Sequence, residues 1–330
     1  MKKFKAIVVK AESDNVSYAV ENISEESLHE GNVTIKVAYS SVNYKDYLAV
    51  KKGGGVIRTY PMIPGIDASG IVVSSSSSNF YVGQKVLLTG FEFGMSHTGG
   101  LSEYVRVPDK WIVPLPSGLS LRDAMVIGTA GFTAAISISA LEKMGMAEIN
   151  QPEILVTGTP GGVGSIALKL LSKSGYNNIS ALTLNRQSED VIRSLGAKTV
   201  LCPEDITPEN KKPLGTQRFH FVLDAVGGEI ASTLLPQIYY GGSMSMCGNA
   251  GGIRMETTVL PFILRGINVL GIDSVNYPIK KRLDIWERFA SEWHVMDDLP
   301  VNEVDLDDLP DVFSKMEQGK HVGRTIVKIS

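Results

Sequence analysis

The segment Ile154-Leu-Val-Thr-Gly158-Thr-Pro-Gly161-Gly162-Val-Gly164-Ser-Ile-Ala-Leu-Lys-Leu-Leu171-Ser constrains the fold more than any other. A short apolar run leads into a turn rich in glycine, and Ile166, Leu170 and Leu171 then recur at the period of an amphipathic helix. Strand, tight turn and helix in that order belong to a sheet whose strands alternate with helices. Glycine is needed where the turn is tight and where another group must approach the backbone. The helix opening at Val163 aims unpaired N–H groups out of the turn, an arrangement suited to a pyrophosphate. The segment therefore reads as a dinucleotide cradle made by Gly158, Pro160, Gly161, Gly162, Val163 and Gly164. The spacing departs from strict G-x-G-x-x-G, so a turn that serves only the fold is the competing reading.

A second strand, Ile179 to Thr183, follows. A cradle for NAD would place Asp or Glu at its end to hold the ribose 2′-hydroxyl, roughly 20 residues beyond the glycines. Here the chain reads Thr183-Leu184-Asn185-Arg186, with no carboxylate before Glu189. A hydroxyl, an amide and a guanidinium suit a 2′-phosphate, so the expected cofactor is NADP. The competing reading of Arg186 is a solvated charge at the start of the next helix.

At 330 residues the chain can bury two cores. Its net charge of -3, with both signs interleaved, gives no footprint for nucleic acid or an anionic membrane. Cys202 and Cys247 are the only cysteines, which suggests a reducing compartment and rules out a cysteine-rich metal site. The apolar run after Met1 stops at Lys10, too early for a signal peptide, and no window approaches bilayer-spanning length. A soluble cytoplasmic protein is the expectation.

Up to about residue 120 the pattern is short strands with turn punctuation: Ala6 to Val9, Val33 to Tyr39, Ala68 to Val73, Lys85 to Leu88, Leu101 to Val107 and Trp111 to Val113. From about 125 to 295 strands alternate with helices, at Ile154 to Thr157, Ile179 to Thr183, Thr199 to Cys202, Phe219 to Asp224, Gly242 to Cys247 and Asn268 to Ile272. A helix at Leu309 to Gln318 and a strand from Val322 return to the first unit. The five serines at Ser74 to Ser78 read as a solvated loop.

Several segments resemble the zinc-free medium-chain dehydrogenases/reductases, and more closely the YhdH/YhfP-type quinone oxidoreductase family, whose members include acrylyl-CoA reductases. They are Ser41-Val-Asn-Tyr-Lys-Asp46, Tyr60-Pro-Met-Ile-Pro-Gly-Ile-Asp-Ala-Ser-Gly70, Gly99-Gly-Leu-Ser-Glu-Tyr104, Ile127-Gly-Thr-Ala-Gly-Phe-Thr-Ala134, the cradle, Tyr240-Gly-Gly242, Pro261-Phe-Ile-Leu-Arg265 and Gly271-Ile-Asp-Ser-Val275. The resemblance runs the length of the chain. It implies an α/β fold in which a GroES-like β-barrel catalytic domain, residues 1–125 and 296–330, is interrupted by a Rossmann doubly wound parallel-sheet NADP-binding domain, residues 126–295. It also implies an active site in a cleft and a homodimer. Zinc-dependent relatives carry a His-Glu pair at the segment where this chain has Gly65-Ile66-Asp67. Zinc needs three or four ligands at fixed spacing, and the five histidines are scattered singly, so no metal is expected. His97, in a glycine-rich loop, is the one histidine with a candidate cleft role. Asp67, between strand runs, reads equally as a group of the site or as a structural hydrogen-bond acceptor.

Without a metal to ionise an alcohol, the expected chemistry is hydride addition to a polarised acceptor such as an enoyl thioester, enone or quinone. Charge then collects on a carbonyl oxygen and must be met by hydrogen-bond donors. The family places Asn43-Tyr44-Lys45-Asp46 beside the nicotinamide, which makes Tyr44 the leading donor, Asn43 a positioning donor, and Asp46 an orienting partner of Lys45. A packed aromatic is the competing reading of Tyr44. The resemblance adds Thr129, Thr133, Cys247, Gly248, Phe262, Ile263 and Ser274 to the cofactor side. Arg58, Arg265 and, above them, Arg324 are candidates for phosphates of cofactor or substrate. The leading expectation is an NADPH-dependent reductase of an activated C=C bond, acryloyl-CoA being the nearest family substrate. An NADPH:quinone oxidoreductase and a non-catalytic NADPH sensor are the alternatives.

Overall fold

The computed structural model describes residues 3–12, 15–184, 186–207 and 212–330. These divide into two compact units, Met1–Thr129 with Ser274–Met296 and Pro300–Ser330, and Ala130–Asp273 with Asp297–Leu299.

The first unit begins with strands β1 (Lys3–Glu12), β2 (Asn15–Ser24) and β3 (Val33–Val42), then helix α1 (Tyr44–Val50). Strands β4 (Asp67–Ser75), β5 (Lys85–Thr89), β6 (Tyr104–Val107) and β7 (Val113–Pro114) precede helix α2 (Leu121–Lys143). The second unit carries β8 (Ile154–Thr157), α3 (Gly162–Lys173), β9 (Ile179–Leu182), α4 (Glu189–Ser194), β10 (Thr199–Leu201), α5 (Pro203–Ile206) and β11 (Phe219–Asp224). It continues through α6 (Gly228–Leu234), β12 (Ile238–Met246), α7 (Leu260–Arg265) and β13 (Asn268–Gly271). Back in the first unit the chain forms α8 (Ile279–Ala290), β14 (Val301–Val304), α9 (Leu309–Glu317) and β15 (Arg324–Lys328).

In the first unit the strands follow the order β14-β15-β3-β4-β5-β7, with β6 also paired to β3, and β1 and β2 form a separate hairpin. Strand β3 shows why it sits at the centre. Val33, Ile35 and Val37 alternate inward, where they meet Val72, Val86, Leu88, Val105 and Trp111 in one core. A second core joins Tyr47, Ala49 and Val50 of α1 to Leu309, Val312 and Phe313 of α9 and Val327 of β15. The end of the chain therefore packs directly against α1.

The second unit is a parallel sheet of order β10-β9-β8-β11-β12-β13. The order reverses between β8 and β11, the topological switch point at which open α/β sheets receive ligands. At the carboxyl ends of that pair the Thr157 hydroxyl donates to Asp224 Oδ1 at 2.6 Å and accepts from the Ala225 amide at 3.0 Å. The Gly227 amide donates to Asp224 Oδ2 at 2.9 Å. Burial raises the Asp224 pKa, and hydrogen bonds from Thr157, Val226 and Gly227 oppose the shift. The effect is to fix the loop after β11 in place.

Several expectations change. Elements β2, α1, α8 and β14 are present beyond those expected from the sequence. The strand expected from Leu101 becomes regular only at Tyr104, and Trp111, expected in a strand, lies in a short 3-10 turn. The first unit resumes at Ser274 rather than at 296 because α8 buries Arg282, Ile285, Trp286 and Phe289 there. The Arg282 guanidinium donates to Thr89 Oγ1 and to the carbonyls of Ser274, Val275 and Tyr277, which ties the returning chain to β5. One described helix, Leu121–Lys143, is in fact long and apolar enough to cross a bilayer, contrary to expectation, but 83% of its apolar window is buried inside the protein.

Helix α2 is broken at Gly128, whose φ of 50° and ψ of -160° are not helical. A Cβ there would lie 2.6 Å from Asp67 Oδ2, 2.6 Å from Ser41 Oγ and 2.7 Å from an Arg324 nitrogen. Gly128→Ala should therefore destabilise the fold by about 2–4 kcal/mol, read as a lower midpoint of chemical denaturation.

Candidate active site

A buried polar knot occupies the first unit where β3, α1, β4, the start of α2 and β15 meet. Asp67, the first residue of β4, accepts from Ser41 Oγ (2.6 Å), Asn43 Nδ2 (2.7 Å), the Thr129 amide (2.8 Å) and Thr129 Oγ1 (2.5 Å). Arg324 donates through Nη2 to Ser41 Oγ (2.9 Å), through Nε to the Val126 carbonyl (3.0 Å) and through Nη1 to the Val42 carbonyl (3.1 Å). The Ser41 hydroxyl thus receives from the guanidinium and passes its own hydrogen to the carboxylate. Burial lowers the Arg324 pKa, opposed by the nearby charges of Asp67 and Asp46.

Asp46 is fully buried at the third position of α1 and turns back on the helix start. It accepts from the Asn43 amide (2.8 Å), from Asn43 Nδ2 (3.3 Å) and from the Ile66 amide (3.0 Å). This satisfies an N-terminal N–H that a helix otherwise leaves open. Asp46 is therefore not an orienting partner of Lys45, and Asn43 is not free to meet substrate. Both Asn43 Nδ2 bonds go to carboxylates, and its Oδ1 faces Arg324 at 3.5 Å. The knot leaves Tyr44, at the head of α1, 44% exposed. Its ring rests against Tyr47 with centroids 5.7 Å apart. Tyr47 is itself pinned, accepting from Lys51 Nζ at 2.6 Å and donating to Glu317 at 3.3 Å.

In the second unit the cradle has the features a pyrophosphate requires. Gly158 has φ 71°, Gly161 is the N-cap of α3 with no side-chain cap, and a Cβ on Gly164 would lie 2.8 Å from the Gly158 carbonyl. The Ser165 amide donates to the Gly161 carbonyl at 2.9 Å and closes the first turn of the helix, so the amides of Gly162, Val163 and Gly164 stand at its open end. Gly158 and 160–163 are half-buried, whereas the strand before them and the helix body behind them are buried. These features fit a dinucleotide at the helix N-terminus. Beyond β9, Thr183 is buried and Arg186 pairs through Nη2 with Asp205 Oδ2 at 2.8 Å. Asn185 lies outside the described residues.

A depression of about 620 Å³ at the carboxyl ends of β12 and β13 is lined by Met246, Cys247, Gly248, Asn249, Gly271, Ile272 and Asp273. It brings together Cys247 and Gly248 from the expected set. Burial pushes the Cys247 thiol up to about 12, so it stays protonated, and its Sγ contacts the Asp224 carbonyl at 3.3 Å. Thr133 is buried in α2. Phe262 packs on the core of the second unit, while Ile263 is 68% exposed. The Ser274 carbonyl is held by Arg282.

Two arginines expected to meet phosphates have their donors engaged by protein acceptors. Arg324 is 1% exposed with its donors spent inside the knot. Arg265 donates to the carbonyls of Pro236 and Gly215. Arg58 is exposed. His97 is also structural. Its ring nitrogens lie 3.1 and 3.0 Å from the carbonyls of Thr98 and Glu30, and its ring meets Trp111 edge-on. Among the described residues no group of three or more His, Cys, Asp or Glu side chains converges on a metal-sized position. The part played by Ser41 and the pairing of Asp205 with Arg186 go beyond the residues expected from the sequence. The acid at the third position of a helix, as in Cys202-Pro-Glu-Asp205, signals the cap that holds Asp205, whereas nothing local signals its pairing with Arg186.

The chain matches the family models "Alcohol dehydrogenase GroES-like domain" over residues 29–117 and "Zinc-binding dehydrogenase" over 162–290. It belongs to the medium-chain dehydrogenases/reductases, in the zinc-free branch of YhdH and AcuI type. It is 46% identical over 99% of both chains to YhfP of Bacillus subtilis (strain 168), named as a quinone oxidoreductase. It is 42% identical, again over 99% of both, to the acrylyl-CoA reductase AcuI of Ruegeria pomeroyi. The yhdH oxidoreductase of Salmonella enterica, solved in complex with NADP, superposes with a TM-score of 0.94 at 40% identity, covering 99% of this chain and 100% of that one. The Bacillus subtilis yhfP structure, at TM-score 0.94 and 45% identity over 99% and 100%, has NAD bound. The GroES-like unit and the Rossmann unit expected from the sequence are both present.

Burial, and then the charge of Asp67, push the Asp46 carboxyl up to about 7. An unfolded aspartate titrates near pH 4, so between about pH 4 and 7 the folded state holds a proton that the unfolded state has lost. Stability contributed by this group therefore falls as pH rises through that window. Urea midpoints measured from pH 5 to 8 should show this loss in the wild type and a flatter profile in Asp46→Asn.

Proposed function

We propose that this chain is an NADPH-dependent oxidoreductase that reduces an activated carbon–carbon double bond, with acryloyl-CoA going to propanoyl-CoA as the leading reaction. The observation that carries the reading is an exposed phenol, Tyr44, heading a helix pinned by a buried carboxylate knot, in a chain that also holds a glycine cradle with open amides. Full-length similarity to AcuI supports the enoyl-thioester substrate, and similarity to the NADP-bound yhdH structure supports the cofactor.

NADPH supplies a hydride to the β carbon of the acceptor, and negative charge collects on the carbonyl oxygen. Tyr44 donates a hydrogen bond to that oxygen or a proton to the α carbon, where a solvent-derived hydrogen completes the reduction. Asn43 and Asp46 act as positioning residues that hold the first turn of α1 under Tyr44. Gly158, Pro160 and Gly161 to Gly164 receive the pyrophosphate on backbone amides. Thr183 and Arg186 meet the 2′-phosphate. The Arg186–Asp205 pair is exposed on both sides, and such pairs are worth about 0–1 kcal/mol, so a phosphate can exchange into it. Thr129, Thr133, Cys247, Gly248, Ile263 and Ser274 complete the cofactor side.

A homodimer in the cytoplasm, with no nucleic-acid or membrane partner, completes the proposal. Val259 and Leu264 of the α7 region are 65% and 56% exposed, and among the described residues β13 ends the sheet with an unpaired edge. Sedimentation equilibrium should give a mass near twice 35.7 kDa.

Similarity to YhfP supports a second reading, NADPH:quinone oxidoreduction. Loss of NADPH absorbance on adding acryloyl-CoA, enones and quinones in turn separates the two. Fast oxidation by the acyl-CoA is expected, and Tyr44→Phe should lower kcat by about 10²-fold without changing NADPH affinity. Preference for quinones moves the assignment to the second reading. Tight NADPH binding with no oxidation by any acceptor makes the chain a binding protein.

A further inference from the structure

Arg186 is the one guanidinium in the stretch expected to meet the 2′-phosphate, yet it is already engaged, with Nη2 2.8 Å from Asp205 Oδ2. Asp205 is held in place independently of Arg186. Its Oδ2 also accepts from the Cys202 amide at 2.8 Å, and its backbone carbonyl accepts from Arg218 Nη1 at 2.7 Å. Strand β10, which leads into α5, pairs in parallel with β9, so the residues following both strands emerge at the same, carboxyl end of the sheet. A fixed carboxylate and a cofactor phosphate would therefore call on the same cation. Fork geometry lets a guanidinium serve two anions, but the first one lowers the gain from the second.

We propose that Asp205 is a positioning residue that competes with the cofactor 2′-phosphate for Arg186 and so holds the discrimination between NADP and NAD below what Arg186 alone would give. The inference rests on the NADPH reading above. It predicts a cofactor preference that is modest and dependent on salt, since both members of the pair are exposed, at 56% and 38% of their side chains.

The test is calorimetric binding of NADP⁺, NAD⁺ and 2′,5′-ADP to the full chain, without substrate. Asp205→Asn keeps a carbonyl oxygen for the Cys202 amide, and Asp205→Ser serves as a second variant; thermal melts verify that each is folded. The ratio of NAD⁺ to NADP⁺ dissociation constants should rise about 3- to 6-fold in Asp205→Asn, the scale of one exposed ion pair. The gain should shrink as salt rises to about 0.5 M, and it should vanish in an Arg186→Ala background because the competition is for that residue. 2′,5′-ADP should follow NADP⁺. An unchanged ratio overturns the proposal. A lower ratio also overturns it, since Asp205 would then be presenting Arg186 to the phosphate. A gain that survives Arg186→Ala overturns competition in favour of direct repulsion. If the wild type binds none of the three ligands, the NADPH reading itself fails.

Discussion

A guanidinium and two carboxylates buried together must be satisfied by hydrogen bonds, because a lone charge in that setting would cost several kcal/mol. Arg324, Asp67 and Asp46 meet that demand by drawing on residues from five segments of the first unit. Arg324 sits on the last strand and reaches the carbonyls of Val42 and Val126. Asp67 receives Ser41, Asn43 and Thr129. The constraint is mutual: a side chain at position 128 would fill the space the charges need, and glycine leaves it open.

From this follows the presentation of α1. Asp46 caps the helix from below and takes the Ile66 amide, so the segment where zinc-dependent relatives carry a His-Glu pair here supplies a backbone donor and the carboxylate Asp67 instead. Tyr44 is then the most exposed residue of its motif. In the second unit the comparable device is Asp224, which with Thr157 fixes the loops at the switch point where the sheet opens. In each unit a buried acid holds the backbone still while neighbouring groups face solvent.

Much of this is legible in the sequence. The strand-turn-helix at Ile154 reads with correct ends for the strand, because local glycine chemistry and apolar periodicity dominate there. The parallel alternation and the insertion of one unit in the other are also readable. What fails are side-chain assignments that depend on distant partners. Arg324 looks like a phosphate ligand because nothing in Val-Gly-Arg reveals that Ser41, Val42 and Val126 surround it. Asp46 looks like a partner of its neighbour Lys45: the capping pattern Asn43-x-x-Asp46 is in the sequence but competes there with the adjacent charge, and the contact to Ile66 appears only on folding. Helix α8 escapes notice because its apolar residues are spaced among charges, and one of the residues it buries is Arg282, a type ordinarily read as surface.

Hydride delivery to carbon leaves its mark in where an isotope ends up. The protein is incubated with acryloyl-CoA and NADPH carrying deuterium at each C4 position in turn, and the product is analysed by mass spectrometry and NMR. Propanoyl-CoA should carry one deuterium on the β carbon from one labelled face only, and a solvent-derived hydrogen on the α carbon. Product without deuterium from either label, or deuterium on the α carbon, would contradict hydride delivery to the β carbon.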